Sequence, residues 1–246
     1  LMRTGAYSLT AQTTIPSSTL PGHTSMLSGL CPSAHGVDWD HYLPEKGYAR
    51  GTDLFDLAHA AGLRTVMVVA KEKLRQVVEP DSLDVFLWVN DPDGVVARRA
   101  AGLIPDGFSV LFVHLADTDH AGHSYGWMSL PQILSLRRTD SAIKIILQAL
   151  EAAAMRETAL IIVTADHGGH DGGHSGGTPP DLTIPWVING PGVLPGPLES
   201  SVNTVDTAAT AAWALGLPLP PEWSGRPVLE AFGLPDDAPR PAPRCR

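Results

Sequence analysis

The stretch Thr164-Ala-Asp-His-Gly-Gly-His-Asp-Gly-Gly-His-Ser-Gly-Gly177 decides how this sequence folds and where its chemistry lies. It follows an apolar run at residues 159–163, which predicts a buried strand, and its six glycines predict a loop leaving the end of that strand. The carboxylate and imidazole side chains of the loop fall within nine residues, at Asp166, His167, His170, Asp171 and His174. Such a set suits zinc or a similar divalent ion. Neighbouring residues of an extended chain point to opposite sides, so Asp166 and His167 could each serve a different metal.

A second cluster, Asp117-Thr-Asp-His-Ala-Gly-His123, follows the apolar run at residues 110–115, and again the pattern predicts a strand that ends in a loop. In open α/β sheets, ligands bind beyond the carboxyl ends of the strands. Two clusters at two such ends can therefore converge in space although they are far apart in sequence. This repetition favours a metal site over the alternative, a glycine-rich surface loop whose histidines are only solvated.

Strand and helix patterns alternate along the chain. Strands are predicted at residues 64–70, 84–88, 110–115, 159–163 and 183–188, and helices at 23–30, 52–62, 92–103, 130–155 and 205–215. Strands separated by helices imply an α/β fold with a mostly parallel central sheet and helices on both faces. No repeat or internal linker is visible, so we expect a single domain over residues 1–235. The Pro/Arg-rich tail at 236–246 is predicted to be disordered.

The composition favours a folded enzyme and argues against several other classes. The chain has 246 residues, of which 43% are hydrophobic, enough to bury one sizeable core. No apolar run approaches the roughly 18 residues of a membrane span. A net charge of −9 without a basic tract argues against binding a nucleic-acid polymer. The two cysteines, Cys31 and Cys245, do not make a disulfide framework, and no feature of the composition indicates an oligomeric state or a compartment.

Thr19 is the candidate nucleophile. It lies in Thr19-Leu-Pro-Gly-His23, just ahead of the helix predicted at residues 23–30. A hydroxyl at the start of a helix also fits an N-cap. The functional alternative is that the free N–H groups of the helix N-terminus receive an anion such as phosphate. A threonine hydroxyl needs activation before it can attack, and coordination to a metal provides it.

Four motifs occur in the order seen in the alkaline phosphatase superfamily: Thr19-Leu-Pro-Gly-His23, Pro32-Ser-Ala-His-Gly36, Asp119-His-Ala-Gly-His123 and Ala165-Asp-His-Gly168. Over residues 13–191, the chain resembles the type I phosphodiesterase/nucleotide pyrophosphatase branch. The resemblance includes Ile184-Pro-Trp-Val-Ile-Asn-Gly-Pro-Gly192 after the histidine loop. It implies two divalent metal ions, zinc or in some members manganese, that hold a phosphoryl group over a threonine or serine nucleophile.

The resemblance also implies which side chains bind the two ions. They are Asp119, His123 and His174 for one ion, and Asp166, His167 and Thr19 for the other. His174 is chosen as the downstream histidine because it precedes Ser-Gly-Gly and the run into Ile184-Pro, and His170 is the alternative. Thr19 would attack phosphorus, displace an alcohol or a nucleotide, and leave a phosphothreonine that water then hydrolyses. The expected substrate is a small nucleotide or phosphodiester.

Two departures from the family pattern concern the neighbourhood of Thr19. The family has an Asp at the end of a first strand upstream of the nucleophile, whereas residues 1–18 contain no Asp or Glu. We therefore expect the first strand and this ligand to lie outside the sequence, which would then be N-terminally truncated. Asp40 stands where the family often has an asparagine that donates to a phosphate oxygen. A carboxylate cannot donate unless it is protonated, and it would repel the substrate anion. We therefore expect Asp40 to be protonated, to select another substrate, or to reach a metal.

Trp127 is a further candidate substrate-binding residue, and the sequence leaves several activities open besides phosphodiester hydrolysis. Trp127, in Ser124-Tyr-Gly-Trp127, is predicted to line a pocket for a base or an aryl group, with plain packing as the alternative. A phosphomonoesterase, a phosphonate hydrolase or a phosphomutase of the same superfamily would use related ligands. A sulfatase is not favoured, because Cys31-Pro-Ser-Ala-His lacks the spacing and the arginine of the Cys/Ser-x-Pro-x-Arg element. The alternative from a different class is a metal-poor, non-catalytic homologue.

Overall fold

Two β-sheets organise the chain in the computed structural model, which describes residues 1–235 and Cys245. The strands are β1 (Ala6–Gln12), β2 (Thr65–Val69), β3 (Val85–Trp88), β4 (Val110–His114), β5 (Ile161–Thr164), β6 (Thr183–Asn189) and β7 (Gly196–Pro197). The α-helices are α1 (Thr19–Ser28), α2 (Pro32–His35), α3 (Leu54–Ala60), α4 (Asp93–Leu103), α5 (Asp117–Tyr125), α6 (Leu130–Ala152), α7 (Pro179–Leu182) and α8 (Asp206–Ala214).

The smaller sheet is parallel throughout, in the order β3-β2-β4. Its central strand β2 is buried along its whole length, as the unbroken apolar run Thr-Val-Met-Val-Val requires of a strand covered on both faces. Met67 and Val69 pack into a core with α1, α3 and α8, whereas Val66 and Val68 pack towards α4. The expected cover of helices on both faces is therefore confirmed for this sheet.

The larger sheet has the order β5-β6-β1-β7 and mixed strand directions. Strand β6 runs antiparallel to both β1 and β5, and only β1 and β7 are parallel. The α/β class is confirmed, and the pairing is more mixed than the predicted pattern of parallel strands. Strand β1 was not predicted, because Ala-Tyr-Ser-Leu-Thr-Ala-Gln contains no apolar run; its pairing with the buried β6 stabilises it.

Strands β4 and β5 each stand at the end of their sheet, so within the described residues each pairs along one edge only. Several of their apolar side chains, among them Phe112 and Ile162, are only partly buried. The chain leaves the carboxyl end of β4 towards Asp119 and that of β5 towards Asp166. Both predicted clusters thus lie at the carboxyl ends of strands. The additional first strand that we expect from the family resemblance stays a prediction.

One disulfide joins Cys31, just before α2, to Cys245. Cys245 is buried, and its carbonyl accepts a hydrogen bond from the Ile15 N–H at 3.1 Å. The rest of the tail predicted to be disordered, residues 236–244 and 246, lies outside the described residues. The division into one domain and a tail stays a prediction, but Cys245 itself is anchored near the start of the chain.

Candidate active site

The first part of the site lies on a helix rather than in a loop. Residues 117–123, predicted as a loop, belong to α5, which is separated from the end of β4 by two residues. Asp119 and His123 stand one helical turn apart and therefore share a face. Asp119 Oδ1 lies 3.4 Å from His123 Nε2. The helix thus presents a carboxylate and an imidazole to the same point.

The glycine-rich loop after β5 brings His174 to this pair. His174 Nε2 lies 3.1 Å from His123 Nε2 and 4.0 Å from Asp119 Oδ1. The three potential ligand atoms all lie within 4.8 Å of one another. A carboxylate and two imidazoles at such spacing form a donor set typical of zinc.

The hydrogen bonds of the two imidazoles support a cation between them. His123 Nδ1 lies 3.0 Å from the carbonyl of Gly172, and His174 Nδ1 lies 2.6 Å from the carbonyl of Ser17. Because a carbonyl only accepts, each Nδ1 carries the proton, and in the neutral rings each Nε2 presents a lone pair. Two lone pairs 3.1 Å apart repel unless a cation lies between them. In addition, Asp119 Oδ1 is buried without a hydrogen-bond partner, so the residues present fit a divalent ion.

Asp166 and His167 form the second part of the site. His167 Nδ1 lies 2.8 Å from the Gly168 carbonyl, so its Nε2 presents a lone pair, and this buried atom has no hydrogen-bond partner. His167 Nε2 lies 3.4 Å from Asp166 Oδ2 and 3.8 Å from Asp119 Oδ1, and its ring stacks on that of His174 at 3.7 Å. The two clusters predicted from sequence therefore meet in space.

The electrostatics favour the forms of these side chains that bind cations. Burial alone would raise the pKa of Asp166, but the neighbouring imidazoles of His167 and His23 hold that pKa well below its ordinary value. Burial, together with the neighbouring His167, lowers the pKa of His174. An ionised Asp166 carboxylate and a neutral His174 imidazole are the forms in which these two side chains bind a metal.

Thr19 is the first residue of α1 and does not cap it. The N-cap is Ser18, and Thr19 is buried, with 1% of its surface exposed. Helix α1 approaches the histidine loop closely, since a Cβ on Gly22 would lie 2.8 Å from the carbonyl of Asp166. His23 Nδ1 lies 2.7 Å from the Thr19 carbonyl and 3.3 Å from Asp166 Oδ2. The nucleophile candidate thus shares its helix with a residue that contacts the second part of the site.

Two lysines of the site were missed by the sequence analysis. Lys71 follows β2 and donates from Nζ to Thr19 Oγ1 at 3.2 Å and to Asp119 Oδ2 at 2.6 Å. Lys73 donates to Asp40, at 2.8 Å to Oδ1 and 3.1 Å to the carbonyl oxygen. The available signal was their position directly after the middle strand of the parallel sheet, the same edge at which Asp119 lies. A search restricted to acidic residues and histidines misses these two lysines.

Asp40 is already neutralised by the chain. Its Oδ1 accepts from the Leu20 N–H at 2.8 Å as well as from Lys73. The Asp40 carboxylate therefore accepts a hydrogen bond from one of the free N–H groups in the first turn of α1. These N–H groups were one expected binding site for an anion such as phosphate. Burial lowers the pKa of Lys73, and the adjacent Asp40 opposes that shift. This pairing reduces the repulsion between Asp40 and an anionic substrate.

Trp127 and His170 lie beside the cluster of Asp119, His123 and His174 and do not belong to it. The Trp127 ring contacts the His123 ring edge-on at 5.2 Å, and a Cβ on Gly169 would overlap the indole. A substrate pocket at Trp127 stays a prediction. His170 Nδ1 lies 2.7 Å from Oδ1 of the buried Asp181, so the structure places His174, and not His170, beside Asp119.

The α/β fold of the chain is alkaline-phosphatase-like. The alkaline phosphatase PafA superposes with a TM-score of 0.77 at 14% identity, over 94% of this chain and 93% of that one. An inactive form of murine ectonucleotide pyrophosphatase/phosphodiesterase 5 in complex with AMP gives 0.76 at 12% identity, over 94% and 91%. More specifically, the profile of the type I phosphodiesterase / nucleotide pyrophosphatase family matches residues 1–175. The chain belongs to this family.

Among curated relatives, the human GPI ethanolamine phosphate transferase 2, catalytic subunit, is 29% identical over 252 residues, which cover 94% of this chain. The match covers 25% of that relative, and for other relatives the share falls to 13%. The chain therefore spans a quarter or less of the length of these relatives. Among the described residues, no helix has the length and apolar character needed to cross a membrane.

Proposed function

We propose that this chain hydrolyses phosphodiester or pyrophosphate bonds, with Thr19 as the nucleophile and a phosphothreonine as the intermediate. The observation that carries the proposal is the position of the Thr19 hydroxyl. It is buried at the start of α1 and lies 3.2 Å from the Lys71 ammonium, and His23 of the same helix contacts Asp166. Membership of the phosphodiesterase family supports the same chemistry.

Two divalent ions are part of the proposal, with zinc as the first candidate and manganese as the second. Asp119, His123 and His174 would hold one ion, because their ligand atoms converge within 4.8 Å. Asp166, His167 and Thr19 would hold the other, since His167 Nε2 is buried without a partner. When bound, such ions supply positive charge that stabilises the attacking and leaving oxygens of an in-line displacement.

The chain's own residues carry the substitution in two steps. In the first, Thr19 Oγ forms a bond to phosphorus, its proton passes to solvent, and the bond from phosphorus to the alcohol or nucleotide oxygen breaks. That oxygen takes a proton from water as it leaves, while the other substituent of the substrate stays on phosphorus, so the phosphothreonine is still esterified. In the second, a water oxygen bonds to phosphorus and gives up a proton, the Thr19 Oγ–P bond breaks, and Oγ takes up a proton, which regenerates the hydroxyl and releases a phosphomonoester. Asp40 holds Lys73 and the first turn of α1 while His23 fixes the helix against Asp166, so Thr19 keeps its place through both steps.

The test compares Thr19→Ala with Thr19→Ser on protein loaded with zinc or manganese. The substrates are a bis(4-nitrophenyl) phosphodiester, a dinucleotide pyrophosphate and 4-nitrophenyl phosphate. We expect Thr19→Ala to lose nearly all turnover and Thr19→Ser to keep a measurable part of it. Mass spectrometry after acid quench should find the retained part of the substrate on Thr19 in the wild type, a 4-nitrophenyl phosphoryl group from the diester and a nucleotidyl group from the pyrophosphate. Full activity in Thr19→Ala, or preference for the monoester by the wild type, would overturn the proposal in its present form.

A second candidate function is transfer of the phosphoryl group to an alcohol instead of to water. The observation that favours it is the match of 94% of this chain to a relative named as a GPI ethanolamine phosphate transferase. The same phosphothreonine would then be attacked by an acceptor hydroxyl. Adding ethanolamine or glycerol to the assay distinguishes the two: a transferase yields a new phosphodiester that carries the added alcohol, whereas a hydrolase yields the phosphomonoester.

A further inference from the structure

We infer that Lys71 is a catalytic residue whose ammonium is shared between the nucleophile Thr19 and the metal-site carboxylate Asp119. The inference rests on the proposed function and assigns a task to a side chain outside the predicted ligand set. One Nζ donates to Thr19 Oγ1 at 3.2 Å and to Asp119 Oδ2 at 2.6 Å. The reacting oxygen and the carboxylate are thus connected by a single group.

The position of Lys71 is fixed by the fold. It follows Val69 and Ala70 at the end of the buried strand β2, and its side chain is 15% exposed. Lys73 lies two residues further on but is directed to Asp40, at 2.8 Å. Of the two lysines, only Lys71 therefore reaches the Thr19 hydroxyl, and Lys73 provides a matched control.

At Thr19, the ammonium favours the negatively charged oxygen. An N–H donor held at Oγ stabilises the charge that develops there as the hydroxyl loses its proton, and again when Oγ is released from phosphorus in the second step. In this role Lys71 acts by charge and hydrogen bonding. Its removal should slow formation of the phosphothreonine, and the loss of one such donor costs about a hundredfold in rate.

At Asp119, the same ammonium competes with a divalent ion. The two carboxylate oxygens are divided: Oδ2 takes Lys71, whereas Oδ1 faces His123 at 3.4 Å and His174 at 4.0 Å. A positive charge bound to a ligand carboxylate weakens the attraction of that carboxylate for a second cation. Removal of Lys71 should therefore raise metal affinity, by about tenfold or more at the effective dielectric of a partly buried site.

The two consequences have opposite signs, which makes the experiment specific. Lys71→Met is compared with the wild type and with Lys73→Met by titrating zinc, and separately manganese, against a chromophoric chelator. Rapid quench then gives the rate of phosphothreonine formation from the phosphodiester. We expect Lys71→Met to bind metal at least about tenfold more tightly and to phosphorylate Thr19 about a hundredfold more slowly. Lys73→Met should gain less metal affinity than Lys71→Met.

Other outcomes would overturn the inference. A parallel loss of metal affinity and reactivity would mean that Lys71 only supports the fold, and no change in either would mean that its contacts are incidental. If Lys71→Met does not fold, Lys71→Gln keeps a hydrogen-bond donor without the charge and should show the same increase in metal affinity. Failure of the proposed function can be distinguished from failure of this inference. If the proposed function is wrong, wild-type protein forms no phosphothreonine, but the metal titration still measures the effect of Lys71 on the ion affinity of the site at Asp119.

Discussion

The imidazole of His23 lies 3.3 Å from the Asp166 carboxylate, and the same Nδ1 lies 2.7 Å from the carbonyl of Thr19. Both neighbours accept hydrogen bonds, so Nδ1 carries the proton and is shared between them. The ring is buried and packs edge-on against His114 at 4.9 Å. One imidazole therefore sets the distance between the start of α1 and a proposed metal ligand.

Replacing His23 by Leu should weaken the metal site through Asp166. The carboxylate would lose a partner that orients it, and substitutions of this kind cost about 10–100-fold in metal affinity or activity. His23→Asn, which keeps a short donor, should recover part of the loss. Zinc titration with a chelator, alongside thermal unfolding of the metal-free proteins, separates weaker ligation from a general loss of stability. Equal metal affinity in wild type and His23→Leu would contradict this role.

Asp40→Asn should raise phosphodiesterase activity. The asparagine oxygen can still accept from the Leu20 N–H, but the negative charge that neutralises Lys73 is removed. The site becomes one unit more positive, which favours an anionic substrate, and we expect KM to fall by about two- to tenfold. Asp40→Ala is the control, since it also removes the acceptor at α1 and should cost about 1 kcal/mol in stability. A lower kcat/KM in Asp40→Asn at unchanged stability would show that the ion pair itself is required.

Gly169→Ala should disturb the metal site, whereas Gly173→Ala in the same loop should not. A Cβ at Gly169 would overlap the Trp127 ring, which in turn contacts His123. No heavy atom lies within 4 Å of a Cβ built on Gly173. We expect Gly169→Ala to lose roughly 1–3 kcal/mol of unfolding free energy, with weaker metal binding. Chemical denaturation and metal titration of both variants provide the comparison, and identical behaviour would contradict a packing role for Trp127.

The stability of the histidine loop should decrease as the pH rises past neutrality. The hydrogen bond from His170 to Asp181 raises the pKa of His170 above its ordinary value of 6.5. A group whose pKa is raised by folding stabilises the folded state fully below its unfolded pKa, and that contribution is lost as the pH rises through the folded pKa. The melting temperature of the wild type should thus exceed that of His170→Asn at about pH 6, and the difference should shrink by about pH 8.5. A difference that stays constant with pH would show that His170 does not titrate in this range.

The sequence predicts most of the fold because its strands are apolar runs. The strands predicted at residues 64–70 and 110–115 correspond to β2 and β4 to within a residue at each end. Strand β1 was not predicted, because Ser8, Thr10 and Gln12 interrupt its apolar residues. Its pairing with the distant β6 depends on tertiary contacts, which a local pattern does not contain. The loop predicted at residues 117–123 is a helix, because Gly122 and the polar residues hide the i, i+4 spacing of Asp119 and His123.

The site was less accessible to sequence reasoning than the fold. Side chains with metal-binding chemistry could be found from their type, and the structure brings Asp119, His123 and His174 together. The contacts of Lys71 could not be found in this way, because they join residues 52 and 48 positions apart in the chain. The same holds for the pairing of Asp40 with Lys73, 33 positions apart. Such contacts depend on how the strand ends are arranged, which no local pattern contains.

The two sheet ends at β4 and β5 have a practical consequence for work with this protein in solution. An unpaired strand edge offers a row of backbone donors and acceptors to any extended peptide that comes near. The segments Val110–His114 and Ile161–Thr164 are short and largely β-branched or aromatic, and most of their residues are only partly buried. Intermolecular pairing at these edges would remove protein from solution as its concentration rises, and it would do so beside the proposed metal ligands. Protein concentration is thus a variable to control before any difference in turnover between variants is assigned to chemistry.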